Sequence, residues 1–399
     1  MTTLATAFDP RANSIGFLRW FLALLVIFSH AGPIAGFYGG EDLGHSWSTE
    51  QSFGGVAVGG FFFLSGFLIT KSRMGKSTLP RFLWRRVLRI FPAFWLALIV
   101  TALVLAPIAW VHRVGSLSSY FAVPKESPLT YFYNNMFLLL GQRNIAELGE
   151  QVPYFQLHGA RDWNGSAWTL AYEFGAYLLV AILGLIGALA NRRLGAVIAL
   201  TIIGLSTIQW FGFGEIFTAL PVFQDIYILL LVPPFAFGIL FALYADKIPM
   251  DGRFAVAALL FAALTYGKGG FVLFGQYALY YFIMWFVTKV RVLQNWERFG
   301  DFSYGIYIFA WPIMTLATYF NLQNAGWIAY MAVVVLTIHI AAYASWHLIE
   351  KPAMSLKNWT PRWLDALIER TRPSYQRFGD KARSVGHKIT QSPRRADQP

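Results

Sequence analysis

The sequence predicts an all-α, polytopic membrane protein with about ten transmembrane helices and both termini in the cytoplasm. Three observations carry that prediction. The 399-residue chain is 56% hydrophobic and only 13% charged, too little polar surface for a soluble domain of this size. Its apolar runs approach the roughly 20 residues that span a bilayer core. Its Lys and Arg residues are rich in every second connection, as the positive-inside rule requires.

In chain order the expected spans are 15–33, 52–70, 89–110, 166–189, 194–211, 226–244, 254–267, 270–288, 302–320 and 326–348. One set of connections holds Arg11, the stretch from Lys71 to Arg89, Arg192 and Arg193, Lys247 and Arg253, the stretch from Lys289 to Arg298, and the C-terminal tail. The other set is 34–51, 111–165, 212–225, 268–269 and 321–325. It holds only five bases: Arg113, Lys125, Arg143, Arg161 and Lys268. Residues 351–399 carry 11 Lys/Arg against 4 Asp/Glu. A membrane domain, 1–352, is therefore expected to end in a basic cytoplasmic tail, 353–399, near anionic lipid. Nucleic acid is not an expected partner. No cleavable signal is expected, because no basic start precedes a short apolar run and a small-residue cleavage site. With no cysteine, thiolate catalysis, disulfides and cysteine metal sites are excluded. His45, His112 and His158 fall in outer loops without metal-site spacing.

An ionisable group inside a span costs at least a few kcal/mol and needs a reason. In RWFLALLVIFSH, Arg19 and His30 are 11 positions apart, about three full helical turns. They share one face, ~16 Å apart along the axis. Snorkelling and a hydrogen-bonded core histidine account for them singly. The shared face suggests one cavity with an anion clamp and a proton acceptor. In RFLWRRVLRIFPAFW, Arg85, Arg86 and Arg89 form a basic helix surface, with Pro92 allowing a break beside it. The surface serves either as an interfacial anchor or as a site for a phosphorylated ligand. In WNGSAWTLAYEFGAYLL, Glu173 reaches a depth near that of His30 and requires a partner. A structural ion pair with arginine and a pair with His30 both fit.

Three further stretches read as packing or anchoring. GGVAVGGFFFLSGFLI suits close helix approach. SYGIYIFAWPI puts Tyr304 and Tyr307 one turn apart, with a kink at Pro312. ASWHLIEKP ends the last span with Glu350 in a structural ion pair, and His339 is a core residue.

In sequence order, IGFLRWFLALLVIFSHA, GGVAVGGFFFLSGFLIT, FLWRRVLRIFPAFW, SAWTLAYEFGAYL, FGDFSYGIYIFAWPI and IEKP together resemble the integral-membrane acyltransferase-3 family, the bacterial sugar O-acyltransferases. The resemblance covers about residues 12–352. The family's Arg-x10-His pattern matches Arg19 and His30, its Arg-x-x-Arg pattern matches Arg86 and Arg89, and Glu173 matches its tryptophan–leucine–glutamate signature. The resemblance implies transfer of an acyl group, usually acetyl, from cytoplasmic acyl-CoA (acetyl-CoA) to a hydroxyl of a cell-surface polysaccharide or glycolipid. The transfer would cross the bacterial inner membrane with no permanently bound cofactor. It makes His30 the catalytic candidate, with Glu173 the carboxylate that orients or charges it, and has Arg19, Arg86 and Arg89 support donor binding or pore structure. Many relatives carry histidine at the position of Ala310, so no second histidine is available there. Some relatives append a hydrolase-like domain that this chain lacks. Acceptor chemistry would then be completed in the membrane part or by a polysaccharide-synthesis partner. Direct attack by the sugar and a route through acyl-His30 both fit. The alternative from a different class is a glycan or lipid-precursor transporter or flippase without acyl chemistry.

Overall fold

A computed structural model describes residues 2–75, 77–212 and 225–359 of the chain. The expected connection 212–225 and the basic tail thus lie almost wholly outside the described residues. Among those residues, extended pairing is limited to two isolated bridges, Thr3 with Pro249 and Asp9 with Ala12. The main helices are α1 (Ile15–Ala35), α2 (Phe53–Met74), α3 (Leu79–Val114), α4 (Gly165–Leu185) and α5 (Arg192–Trp210). They continue with α6 (Ile226–Leu243), α7 (Gly252–Lys268), α8 (Phe271–Lys289), α9 (Ser303–Tyr319) and α10 (Trp327–Asn358). Seven are long and apolar enough to cross a membrane. The exceptions, α6, α7 and α9, have 18, 17 and 17 residues.

Side chains at the boundaries satisfy the free N–H groups of the first turns. Ser52 accepts from the Gly55 N–H at 3.1 Å, Asp225 from Tyr227 at 2.9 Å and Asp251 from Arg253 at 2.8 Å. α1 stops at Gly36, whose φ of 78° suits a residue without a Cβ.

Helix α3 departs most from expectation. It starts at Leu79 rather than near residue 89, with Pro80 in its first turn, where a missing N–H is harmless. Arg81, Arg85, Arg86 and Arg89 therefore ride on one continuous helix. That helix passes through Pro92 without ending, and its one wide turn comes later, at Thr101–Leu105.

Helix α9 is central. Every residue from Ser303 to Thr315 is buried, which explains how a short helix with polar groups fits among apolar ones. α2 and α6 approach closely through glycine. A Cβ on Gly66 would stand 2.1 Å from the Phe235 carbonyl oxygen, and one on Gly238 2.2 Å from that of Phe63.

Among the described residues, connections of the two sets meet their own kind at opposite ends of the bundle. At the basic end, Leu4 N–H bonds Ile248 O at 2.8 Å, Ser14 N–H bonds Val287 O at 3.0 Å, and Arg192 meets Asp246 at 3.2 Å. At the other end, the loop end, His158 bonds Gly40 O at 3.1 Å, Gly270 N–H bonds Glu50 at 2.6 Å, and Trp327 bonds Tyr38 at 2.6 Å.

The glycine contacts predict a specific sensitivity. Gly66→Ala and Gly238→Ala should each destabilise by about 1–3 kcal/mol, because backbone atoms cannot yield as a side chain would. Gly204→Ala, with nothing within 4 Å of the added carbon, should leave the unfolding midpoint in detergent unchanged or slightly raised. Equal midpoints for all three variants would contradict the close approach.

Candidate active site

Two polar layers are built into the bundle. The first lies at the basic end. Arg19 of α1 and Arg89 of α3 both reach Oδ2 of Asp301, at 2.6 and 2.5 Å. The hydroxyl of Ser303 donates to the other oxygen at 2.6 Å. Burial alone would raise the Asp301 carboxyl. The charges of Arg19 and Arg89, with hydrogen bonds from Ser303 and Arg19, outweigh burial and hold it well below the ordinary carboxylate value. Glu350 lies 3.8 Å from Arg89 and accepts from Ser345 at 2.9 Å, in line with its expected structural role.

Above this layer lies a cavity of about 440 Å³, bordered by Arg19, Arg85, Arg86, Arg89, Glu173 and Lys357, with Phe61, Tyr304 and Tyr307 among its aromatic walls. Arg86 packs over the rings of Phe82 and Tyr177, each 5.7 Å from the guanidinium carbon. Its buried Nε has no hydrogen-bond partner. Glu173 accepts from the Tyr177 hydroxyl and, at 3.5 Å, from Ser65.

The second layer lies at the loop end. His30 Nδ1 is 3.0 Å from Asp42 Oδ1, and Ser29 donates to the same oxygen at 2.9 Å. Ser29 in turn accepts from Gly54 N–H at 3.0 Å, tying the start of α2 to the pair. Burial pushes the Asp42 carboxyl up. The hydrogen bond and charge of His30, the Ser29 hydroxyl and the more distant His45 outweigh that and hold it below its ordinary value. An ionised Asp42 accepts, so Nδ1 carries the hydrogen; in the neutral imidazole Nε2 then keeps its lone pair. Nε2 makes no hydrogen bond to the described residues. The pair is 21% and 28% exposed in its side chains, so solvent-borne groups can reach it.

A seam divides the layers. Tyr307, on the cavity wall, bonds Thr169 at 2.6 Å and Ser166 O at 2.9 Å. One turn further along α9, the Trp311 ring stands 5.0 Å from the His30 ring and donates to Asp162 O at 2.9 Å. Cavity and histidine are thus adjoining compartments with a tyrosine and a tryptophan between them.

The comparisons decide the class of chemistry. The model of the family described as "Acyltransferase domain" matches residues 13–346. The chain belongs to the acyltransferase-3 family. It is similar to Nodulation protein 10 of Rhizobium leguminosarum bv. viciae, 28% identical over 86% of this chain and 94% of that one. It is also similar to the O-acetyl transferase of Shigella phage Sf6, 27% identical over 86% and 96%. Acyltransferase MdmB of Streptomyces mycarofaciens is 25% identical over 64% and 63%. No solved structure matches the chain. As a member of the acyltransferase-3 family the protein is an enzyme, which displaces the alternative of a transporter without chemistry.

Against this family background, the expected site residues fall into two groups. Arg19, Arg86, Arg89 and Glu173 meet at one cavity. His30 does not border it, so the shared face of α1 leads to two compartments rather than one. The carboxylate bonded to His30 is Asp42, not Glu173, which is engaged by Tyr177 and Ser65. Asp301 and Asp42 were not singled out in the sequence. Both stand just outside spans, where a search for charges within apolar runs passes over them. His339 is the expected core residue, accepting from Trp20 at 3.0 Å and donating to Val335 O at 2.7 Å. Among the described residues no group of three or more His, Cys, Asp or Glu converges as metal ligands would.

Replacing Asp301 by Asn removes the carboxylate shared by two half-buried guanidinium groups, leaving Arg89 only Glu350 at 3.8 Å, and should destabilise by about 3–5 kcal/mol. The native carboxyl lies below its ordinary value of 3.8, so its stabilisation is complete above that pH and drains away as pH falls through the lower native value. The stability gap between wild type and Asp301→Asn in detergent should therefore shrink below about pH 4. A gap independent of pH there would contradict the assignment.

Proposed function

We propose that the protein is an inner-membrane O-acetyltransferase that moves acetyl from cytoplasmic acetyl-CoA to a hydroxyl of a cell-surface polysaccharide or glycolipid. The observation that carries this reading is the succession of an arginine-lined cavity, an aromatic seam and a His30–Asp42 pair with a free Nε2. The cations suit a phosphate-bearing thioester entering from the basic end. Arg19 and Arg89 are already held by Asp301, so Arg85, Arg86 and Lys357 are the cations left for the donor's phosphates. At 1.5 Å per residue, Arg19 and His30 stand about 16 Å apart along α1. That separation suits a donor whose phosphates and thioester sit at opposite ends of an extended arm.

In the direct mechanism, His30 Nε2 takes the acceptor's O–H proton while the acceptor oxygen bonds to the thioester carbonyl carbon. The C–S bond then breaks, and the thiolate leaves and takes up that proton from the imidazolium. Asp42 fixes the tautomer and stabilises the imidazolium, as a third group orients a catalytic histidine elsewhere. Glu173 acts at the cavity as a polar anchor for the donor arm rather than on His30. The relative named O-acetyl transferase supports acetyl as the group moved. The distribution of basic residues supports a cytoplasmic basic end and an outer loop end.

Labelled acetyl should pass from acetyl-CoA to membrane glycan in wild-type membranes. At matched protein levels, transfer should fall by on the order of 10²–10⁴-fold in His30→Ala. Asp42→Asn should lower kcat with little change in the donor KM, and Arg86→Gln should chiefly raise the donor KM. Full transfer by His30→Ala would overturn the role given to it. The chain has no native cysteine, so sidedness is directly readable. Ser118→Cys should react with an impermeant maleimide on intact cells, and Ser355→Cys only after permeabilisation; the reverse pattern would invert the topology.

A further inference from the structure

Beside the His30–Asp42 pair the loop end holds an aromatic and polar group without an assigned task. Tyr154 sits on the short helix Pro153–His158, which lies in the long connection between α3 and α4. Its ring meets Trp311 at 5.0 Å and 90°, and Trp311 meets His30 at 5.0 Å. Trp311 is buried, whereas Tyr154 is half-buried. Tyr154 is therefore the ring in this stack that incoming material can touch. Its hydroxyl makes no hydrogen bond to the described residues, and neither does Oδ2 of Asp42 nor Nε2 of His30. Burial and the neighbouring Asp162 push its phenol up to about 12, so it is a hydroxyl donor at neutral pH.

The helix that carries Tyr154 is held in place on both sides. Tyr319 donates to Gln151 at 2.7 Å before it, and His158 donates to Gly40 O at 3.1 Å at its end. Tyr154 is thus a fixed ring, and a preset surface loses less entropy on binding. The charged groups that face it are Asp42, Asp162 and Arg143, and Arg143 is already engaged by Asp162 at 3.2 Å. The surroundings are a flat apolar ring, a phenolic donor, a carboxylate acceptor and a net negative field. They suit a neutral sugar, whose C–H face packs on an aromatic ring while its hydroxyls bond to the rim. A sugar acid would be repelled.

We propose that Tyr154 is a substrate-contacting specificity residue that seats a neutral pyranose ring of the acceptor beside His30, with Asp42 Oδ2 and the Tyr154 hydroxyl bonding sugar hydroxyls. This rests on the acyl-transfer reading and names the chemistry of its acceptor. The test uses full-length protein in detergent and methyl hexopyranosides as probes, with methyl glucuronide as the anionic control. Saturation-transfer NMR should show the neutral glycosides binding to wild type and to Tyr154→Phe, no contact with Tyr154→Ala, and none for the glucuronide.

In acetyl transfer to the same glycosides, Tyr154→Ala should raise the acceptor KM about tenfold without raising the acetyl-CoA KM. Tyr154→Phe, which keeps the ring but loses the hydroxyl, should raise the acceptor KM about threefold. Equal saturation in wild type and Tyr154→Ala, stronger saturation of the glucuronide, or none in wild type would each overturn the proposal. Tyr154-dependent binding without any acetyl transfer would instead sink the reaction and leave the sugar site standing.

Discussion

One carboxylate organises the interior. Asp301 receives Arg19 from α1 and Arg89 from α3 on a single oxygen. Without it, two half-buried guanidinium groups would face each other with no carboxylate between them, which is costly in so apolar a surrounding. With it, three separate segments are pinned at one point, at the start of α9, where the positive end of a helix favours an anion. That helix then measures out the rest of the site. Tyr304 bonds Ile90 O at 2.8 Å, Tyr307 closes the cavity against Thr169 and Ser166, and Trp311 packs on His30. The positions 301, 304, 307 and 311 follow the three-to-four-residue spacing of one helical face. A rigid ruler about 15 Å long thus links the arginine layer to the histidine layer.

The acidic residues of the two layers do different work because their surroundings differ. Asp301 is spent on arginine, with its side chain 15% exposed. Glu173 is bound by hydroxyls of Tyr177 and Ser65 beside the cavity. Asp42, in a loop and partly exposed, orients an imidazole. Sorting carboxylates by partner rather than by depth separates one bound by arginine, one by hydroxyls and one by histidine.

Much of this was legible in the sequence. Long apolar runs mark helices whatever they pack against, so each expected span has a helix near its limits. The start of α3 was misplaced because Arg81, Arg85 and Arg86 read as a connection, although a helix can carry cations on its first turns at an interface. The arginines, Glu173 and His30 were legible because a charge in an apolar run is conspicuous. Asp42 and Asp301 were not, since loops carry charge for many reasons and a partner 12 or 282 positions away leaves no periodic trace. The helical angle between Arg19 and His30 gives their levels, but it is silent about Tyr307 and Trp311, which come from another helix.

The source of Asp42 follows from the energetics of the site. A carboxylate deep in a span beside His30 would need its own cation, and that cation would compete with the imidazolium of the proposed proton transfer for the carboxylate. Asp42, in a loop and partly exposed, is instead held below its ordinary value by His30 and the Ser29 hydroxyl, with no arginine bonded to it among the described residues. The same exposure leaves an open approach for a hydrophilic acceptor from the loop end. On the far side of the Tyr307–Trp311 seam lies the arginine-lined cavity, which His30 does not border. The proposed transfer therefore has to carry the acyl group past that seam, and Tyr307 and Trp311 are the side chains it would meet.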